Sequence, residues 1–317
     1  MAVQSLFYKF LHIISTNSKL TTKQLAKELQ TSQQNVSYMF KKAKEEQLIS
    51  SYETLVDPSR FGYDSFIVLL KLKKSSKKTL NEIHKSAQEF EEITGCYALF
   101  GSYELLLKFT CYNASSFNKV LKSFLTSIQE IVISSTILTQ IVEYYLSPTY
   151  MSKKRLREII LIGADRNVVP INEKEKFILK HIQNDARVSS SQIAFKLSTT
   201  AKTVIETTKR LEKKEIIKGT ITNYNPHLLD INQYLIFLRV SFGEDENVVL
   251  KYLRTVSNIT RITKVFGEWD FVIQFESFNL EDLQDHLEHV KEEFNILDYH
   301  YITITRRYFW RTIPKIQ

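Results

Sequence analysis

Cysteine is scarce: Cys96 and Cys111 are the only two in 317 residues. That excludes a disulfide framework as the organising device and fits a reducing cytosol. Both stand in or beside strand-like runs and read as buried thiols. Long apolar runs are lacking as well, since stretches such as Phe66 to Leu72 are strand-sized, far short of a membrane span. The first residues, with Lys9 and His12 interrupting the apolar positions, read as an amphipathic helix and not as a signal peptide. The expected location is cytoplasmic, with no membrane partner. Metal-ligand clusters are missing too: His286 and His289 lie one helical turn apart with no third ligand nearby, so an exposed pair and no metal are expected.

What is present points to a globular chain with more than one core, given a hydrophobic fraction of 43% and a charged fraction of 25%. The net charge is +8 and the pI about 9.2, which permits a polyanion partner. Lysine and arginine are dense from Lys153 to Lys218, whereas Glu244 to Glu246 and Glu281 to Glu293 carry acidic faces.

One pattern occurs twice. Phe266-Gly267-Glu268-Trp269-Asp270-Phe271 has a twin in Phe100-Gly101-Ser102-Tyr103-Glu104-Leu105, each reading as strand, tight turn, strand. Glycine suits such a turn through positive φ, and the carboxylate beyond it can accept backbone amides or an incoming amine. At an offset of 168 residues Leu11 falls on Leu179, Ala26 on Ala194, Val36 on Val204 and Pro58 on Pro226. By the hairpin the offset is 166. The chain therefore reads as a two-part module written twice.

The first part of each module is helical. Residues 3–17 carry apolar positions at helical spacing; Thr21 or Thr22 caps a short second helix, and Ser32 caps a third with Val36, Phe40 and Ala43 inward. Three helices with a tight turn before the third are a helix-turn-helix pattern, whose third helix offers side chains to base edges. The candidates for DNA contact are Ser32, Gln33, Gln34, Asn35, Ser37 and Lys41 in the first head. In the second head, Thr200 caps a third helix with Val204, Ile205, Thr208 and Leu211 inward; Thr200, Ala201, Lys202, Thr203, Thr207 and Arg210 are the candidates, mostly for phosphate positioning. Small wings follow each head.

The second part reads β-α-β-β-α-β, the ferredoxin-like arrangement. Both helices then cover one sheet face, and the bare face is expected to seek a partner, giving a homo-oligomer through the sheets. The fold class is α+β with two repeats, each a winged helix-turn-helix followed by a ferredoxin-like domain. The expected bounds are 1–56, 57–147, a connector at 148–171, 172–224 and 225–317. Lys153, Lys154, Arg155 and Arg157 make the connector basic, Glu158 to Ile162 add a short ordered piece, and Trp310 and Arg311 read as an interface or a tail.

These residues resemble tandem members of the Lrp/AsnC feast-or-famine regulators. Ile171-Asn172-Glu173, Arg210-Leu211-Glu212, Ile217-Lys218-Gly219 and Asn225-Pro226 look like the family's opening, recognition-helix end and wing, and Gly267 with Asp270 like its Gly-x-x-Asp effector loop. The resemblance implies binding of double-stranded DNA by a dimer or higher assembly, and of an amino acid or other small effector beside that loop. The implied effector residues are Gly101, Ser102, Tyr103 and Glu104, and Gly267, Glu268, Trp269 and Asp270. The first unit departs in having glutamate for aspartate, and the bulk of Trp269 can fill the second unit's pocket. Fused sirohaem decarboxylases share the arrangement, but the strands Ile93 to Phe100 and Ile259 to Phe266 contain no histidine and only Arg261 as arginine. A non-enzymatic transcription regulator without cofactor is therefore the first expectation, the decarboxylase-like enzyme the second, and a sensor or assembly protein that has lost DNA binding the third.

Overall fold

Three short helices open the chain in the computed structural model, which describes residues 2–152 and 158–314 apart from the side chains of residues 2–5 and 184. They are α1 (Ala2–Ser15), α2 (Thr22–Leu29) and α3 (Gln33–Glu45). Thr21 caps α2 in a capping box with Gln24, and Ser32 caps α3 through the Asn35 amide, each satisfying a donor that has no partner inside its helix. Phe10, Leu11, Ile14, Leu25, Leu29, Val36 and Ala43 close a small core, and β1 (Ile49–Val56) follows as the wing.

Next come β2 (Asp64–Leu72), α4 (Lys77–Gln88), β3 (Ile93–Phe100), β4 (Leu105–Cys111), α5 (Ala114–Ser127) and β5 (Val132–Leu146). The ordered piece of the connector is β6 (Ile159–Gly163); the basic cluster Lys153, Lys154, Arg155 and Arg157 lies outside the described residues. A second helical head consists of α6 (Glu173–Asn184), α7 (Ser190–Lys196), α8 (Ala201–Lys213) and the wing β7 (Ile217–Tyr224). The chain ends in β8 (Asn232–Val240), α9 (Glu246–Leu253), β9 (Ile259–Phe266), β10 (Phe271–Ser277), α10 (Glu281–Glu293) and β11 (Ile296–Trp310). The result is a mixed α+β fold with helix-turn-helix heads and ferredoxin-like sheets.

Eight strands run β2-β4-β3-β11-β8-β10-β9-β5, and a β2–β5 pairing closes the ring while β6 extends along β5. Strands from the two halves meet twice, Phe100 facing Thr303 and Phe266 facing Thr139. Closure leaves these strands no free edge. Inside lies one core drawn from both halves, including Ile67, Leu69, Leu99, Leu138, Phe237, Val265, Trp269 and Ile302. The helices α4 and α5 seal the outer face of one half and α9 and α10 that of the other. Burying each such side chain contributes about 1.5–3 kcal/mol. The bare sheet face that was expected to recruit a second chain is thus covered by the other half of the same chain, through the β3–β11 and β5–β9 pairings and the core they enclose.

The heads are joined through their wings. In the antiparallel β1–β7 pair, Ile49 faces Tyr224 and Val56 faces Ile217, so the start of each wing meets the end of the other about a local two-fold. Hydrogen bonds tie each wing to the opposite head, from the Thr54 hydroxyl to Ile182 O at 2.7 Å and from Thr222 to Ile14 O at 2.6 Å. Arg187 donates to Ser18 O at 2.7 Å and lies over the rings of Phe40 and Tyr52. Leu55, Ile221, Ile162 and Tyr145 then seat this two-headed unit on the ring of strands.

Some local expectations change. Trp310 is no tail: it is buried and stacks on Tyr97 with ring centroids 4.9 Å apart. His286 is not exposed but stacks on Phe275 in the second core. Burial, reinforced by His289, lowers its pKa to about 4. An unfolded histidine takes up its proton near pH 6.5, so the unfolded chain binds the extra proton first as pH falls. Stability should therefore drop by roughly 3 kcal/mol between pH 6.5 and 4. Urea unfolding of the His286→Phe variant across that range should show this part of the acid limb flattened; an unchanged limb would refute the assignment.

Candidate nucleic-acid interface and central cleft

On the third helices, Gln33, Gln34, Ser37 and Lys41 are exposed, and Asn35 is half-buried. Asn35 donates to Thr31 Oγ1 at 2.9 Å and Ser37 to Gln33 O at 2.9 Å, so both have local partners. On α8, Lys202 is exposed, and Thr203 shares a hydrogen bond with the capping Thr200 at 2.9 Å. Thr207 departs from the sequence-based expectation. It is buried, whereas Ile205, expected inward, is 45% exposed; Val204, Thr207 and Leu211 are spaced three and four residues apart and define the inward stripe. Arg210 is solvent-facing but tied to Glu175, with Nε 3.1 Å from Oε1. Glu175 also accepts from the Asn172 amide and Lys214; these contacts outweigh the effect of burial and lower its pKa.

The two glycine turns are built alike. Glu104 accepts from the Leu72 amide at 2.7 Å, and Asp270 from the Val240 amide at 2.7 Å. Each carboxylate thus fastens its turn to the end of the half's first strand. Gly101 and Gly267 have φ of +153° and +147°, where a side chain is strained, and both lie against strands of the opposite half. Trp269 fills space in the shared core, and Tyr103 packs against it with its hydroxyl 3.1 Å from Thr136. Ser102 reaches His300 Nε2 at 2.5 Å, and Glu268 is exposed.

A larger feature lies between the wings and the ring of strands: a cleft of about 750 Å³ lined by both wings, β9, β10 and β11. Its lining includes Arg261, Arg306, Arg307 and Arg311, with Glu53 and Glu276 as carboxylates. Arg307 donates to both oxygens of Glu53 at 2.8 Å and also to Asn223, so one side chain of the ring holds both wings. Glu276 accepts from Tyr150 at 3.0 Å, from Tyr224, and from Gln233 and Gln274 at 2.8 and 2.9 Å. Burial, then the charge of Glu276, pushes the Tyr150 and Tyr224 hydroxyls well above their ordinary pKa. They stay protonated donors.

Behind the cleft wall, Lys108 and Glu143 form an ion pair at 2.8 Å with both side chains fully buried. Arg261 lies 3.6 Å from the other Glu143 oxygen, donates to the Tyr97 hydroxyl at 2.6 Å and to Gln274, and stacks over Trp310 at 4.3 Å. Burial alone would lower the Arg261 pKa, but Tyr97, Tyr145 and Glu143 raise it. Burial lowers that of Lys108 despite Glu143. Arginines and aromatic faces beside neutral donors suit an anionic, partly flat ligand. Of these residues, the sequence pattern singles out Arg261 as the one arginine of two central strands and Trp310 and Arg311 as an interface or a tail, and places none of them in a site. Lys108 inside Leu105 to Phe109, and Glu143 inside an apolar strand, were the available signals: a charge within a core run needs a partner.

Comparison with known proteins adds three findings. Residues 65–145 match the model of the Lrp/AsnC ligand binding domain, and residues 171–218 that of a winged helix-turn-helix DNA-binding domain. Among curated relatives, the proline dehydrogenase transcriptional activator of Rhodobacter capsulatus is 22% identical over 129 residues, covering 40% of this chain and 84% of the relative. The regulatory protein AsnC of Haemophilus influenzae is 24% identical over 140 residues, 43% and 91% of the two chains. Among solved structures, the siroheme decarboxylase NirDL superposes with a TM-score of 0.63 at 14% identity, covering 98% of this chain and 94% of that one. This likeness is one of fold. It nevertheless overturns the expectation of a non-enzyme, which had rested on the missing histidines, because an enzyme uses the architecture from end to end. No described helix is long and apolar enough to cross a membrane.

Proposed function

We propose that the chain is a DNA-binding transcription regulator of the Lrp/AsnC type, a tandem duplication whose two halves do the work of a dimer within one molecule. The matching element order of the halves and the local two-fold of the wings support the duplication. The observation that carries the function is that both third helices turn a mainly polar outer face to solvent, with Tyr38 and Ile205 as its exposed large hydrophobic side chains, while the wings hold the heads as one unit. Side chains of those faces would enter the major groove, and the surrounding lysines would neutralise phosphates.

The cleft is where a small effector would act. An anion there would compete with Glu53 for Arg307, and Arg307 is bonded to both wings. If the ligand prefers one arrangement of the heads, DNA occupancy shifts by that difference in affinity. The turns at Gly101 and Gly267 are the alternative effector positions, with Glu104 and Asp270 as acceptors that already hold an amide each.

Duplex binding measured by anisotropy should weaken steeply between 50 and 200 mM salt, with a linear log–log plot. Replacing Lys202 and Arg210 with alanine should lower the slope by about one unit for each phosphate that is no longer neutralised, less for Arg210, which is tied to Glu175. Absence of salt-sensitive binding at low ionic strength would remove the regulator reading.

A second reading is favoured by the arginines and aromatic faces of the cleft: an enzyme acting on a polycarboxylate macrocycle, in which Arg261, Arg306, Arg307 and Arg311 hold carboxylates. The test is to add an iron tetrapyrrole with acetate side chains. A shifted Soret band that depends on Arg306 and Arg311, followed by release of carbon dioxide, supports this reading; an unchanged spectrum removes it.

A further inference from the structure

In the two heads, the third helices are held by equivalent wings but do not carry equivalent readers. At the offset that superposes Val36 on Val204, Gln33 and Gln34 stand where the second head has Ala201 and Lys202, and Tyr38 stands where it has Glu206. All of these except half-buried Ala201 are exposed: Tyr38 is 62% open, and the Lys202 and Glu206 side chains are 84% and 64% open, paired with each other only at an Nζ–Oε1 distance of 3.9 Å, too long for a hydrogen bond. Among the neighbouring candidates, Asn35, Ser37 and Thr203 are bonded locally, and Ser37 stands where the second head has Ile205, 45% exposed.

We infer that this chain recognises a non-palindromic operator, two inverted half-sites of different base composition at one fixed spacing. This rests on the regulator reading above. A glutamine amide pairs bidentately with adenine N6 and N7, whereas lysine donates to guanine O6 and N7 and glutamate accepts from cytosine N4. The first head therefore reads an adenine-containing half-site and the second a G·C-containing one. A homodimer would present two identical heads and favour a palindrome; one chain with two unlike heads has no such constraint.

The fixed spacing comes from the wings. Their antiparallel register relates the heads by a local two-fold, which inverts the half-sites. The Thr54, Thr222 and Arg187 contacts cross from each head to the other, so the distance between the third helices is set by hydrogen-bonded secondary structure and not by a flexible linker.

The test is selection from a random duplex pool with the full chain at low salt, followed by the triple variant Gln33→Ala, Gln34→Lys, Tyr38→Glu, whose sites are on the surface. The wild type should enrich an inverted, asymmetric motif with a single spacing. In the variant the adenine half-site should turn into a second G·C half-site, the preference for adenine falling about 10- to 100-fold. A palindromic wild-type motif, a motif with variable spacing, or one unchanged in the variant overturns the inference and leaves the regulator standing. Absence of salt-sensitive binding to any duplex removes both.

Discussion

Replacing Glu143 with glutamine should destabilise the chain by about 3–5 kcal/mol, as measured by urea unfolding at neutral pH. The volume hardly changes; the charge does. Lys108 is fully buried with its Nζ 2.8 Å from Glu143 and 5.0 Å over the Trp310 ring. Arg261, 7% exposed, faces the second Glu143 oxygen. Without the carboxylate, two cations stand together in a site where burial already lowers the lysine's pKa. A single Lys108→Met change should cost less, because Glu143 keeps Arg261 as a partner, and adding it to Glu143→Gln should recover much of the loss, since the buried cation that the glutamine leaves uncompensated is then gone. Equal and additive losses would show that the pair is not coupled.

The second large effect is expected at Gly101. A methyl group there would come within 2.2 Å of Ile302 Cγ2 and 3.2 Å of Ile302 Cβ, on a backbone with φ of +153°. Overpacking and strained φ add, so Gly101→Ala should destabilise by about 4 kcal/mol. Gly267→Ala has the same strain, but its closest contacts are Leu138 Cδ2 at 2.9 Å and a carbonyl at 3.1 Å, so it should cost less. Thermal unfolding of the two variants compares them directly, and a Gly267 variant less stable than the Gly101 variant would contradict this account. The close approach exists only because the opposite half's strands pass each turn. The glycines therefore register the joining of the halves.

Secondary structure was legible because it depends on local rules. The caps at Thr21, Ser32 and Thr200 and the buried stripe through Val36 and Ala43 follow from short-range pattern. Where the stripe was ambiguous the phase slipped: on α8 the β-branched Ile205 looked apolar enough to face inward, yet Thr207 holds that position. The cleft was not legible, because Glu53, the β9–β10 hairpin that carries Arg261 and Glu276, and Arg307 on β11 come from parts far apart in the chain. No spacing rule joins them.

The sequence alone determined the elements, their order, the paired glycine turns and two heads with unlike third helices, all of which are written in neighbouring residues. Tertiary structure decided that the two sheets cover each other, that the wings meet about a local two-fold, and that buried charges gather behind a cleft. Those outcomes depend on which distant strands come together, and the hydrophobic face of a strand specifies that it must be covered without specifying by what.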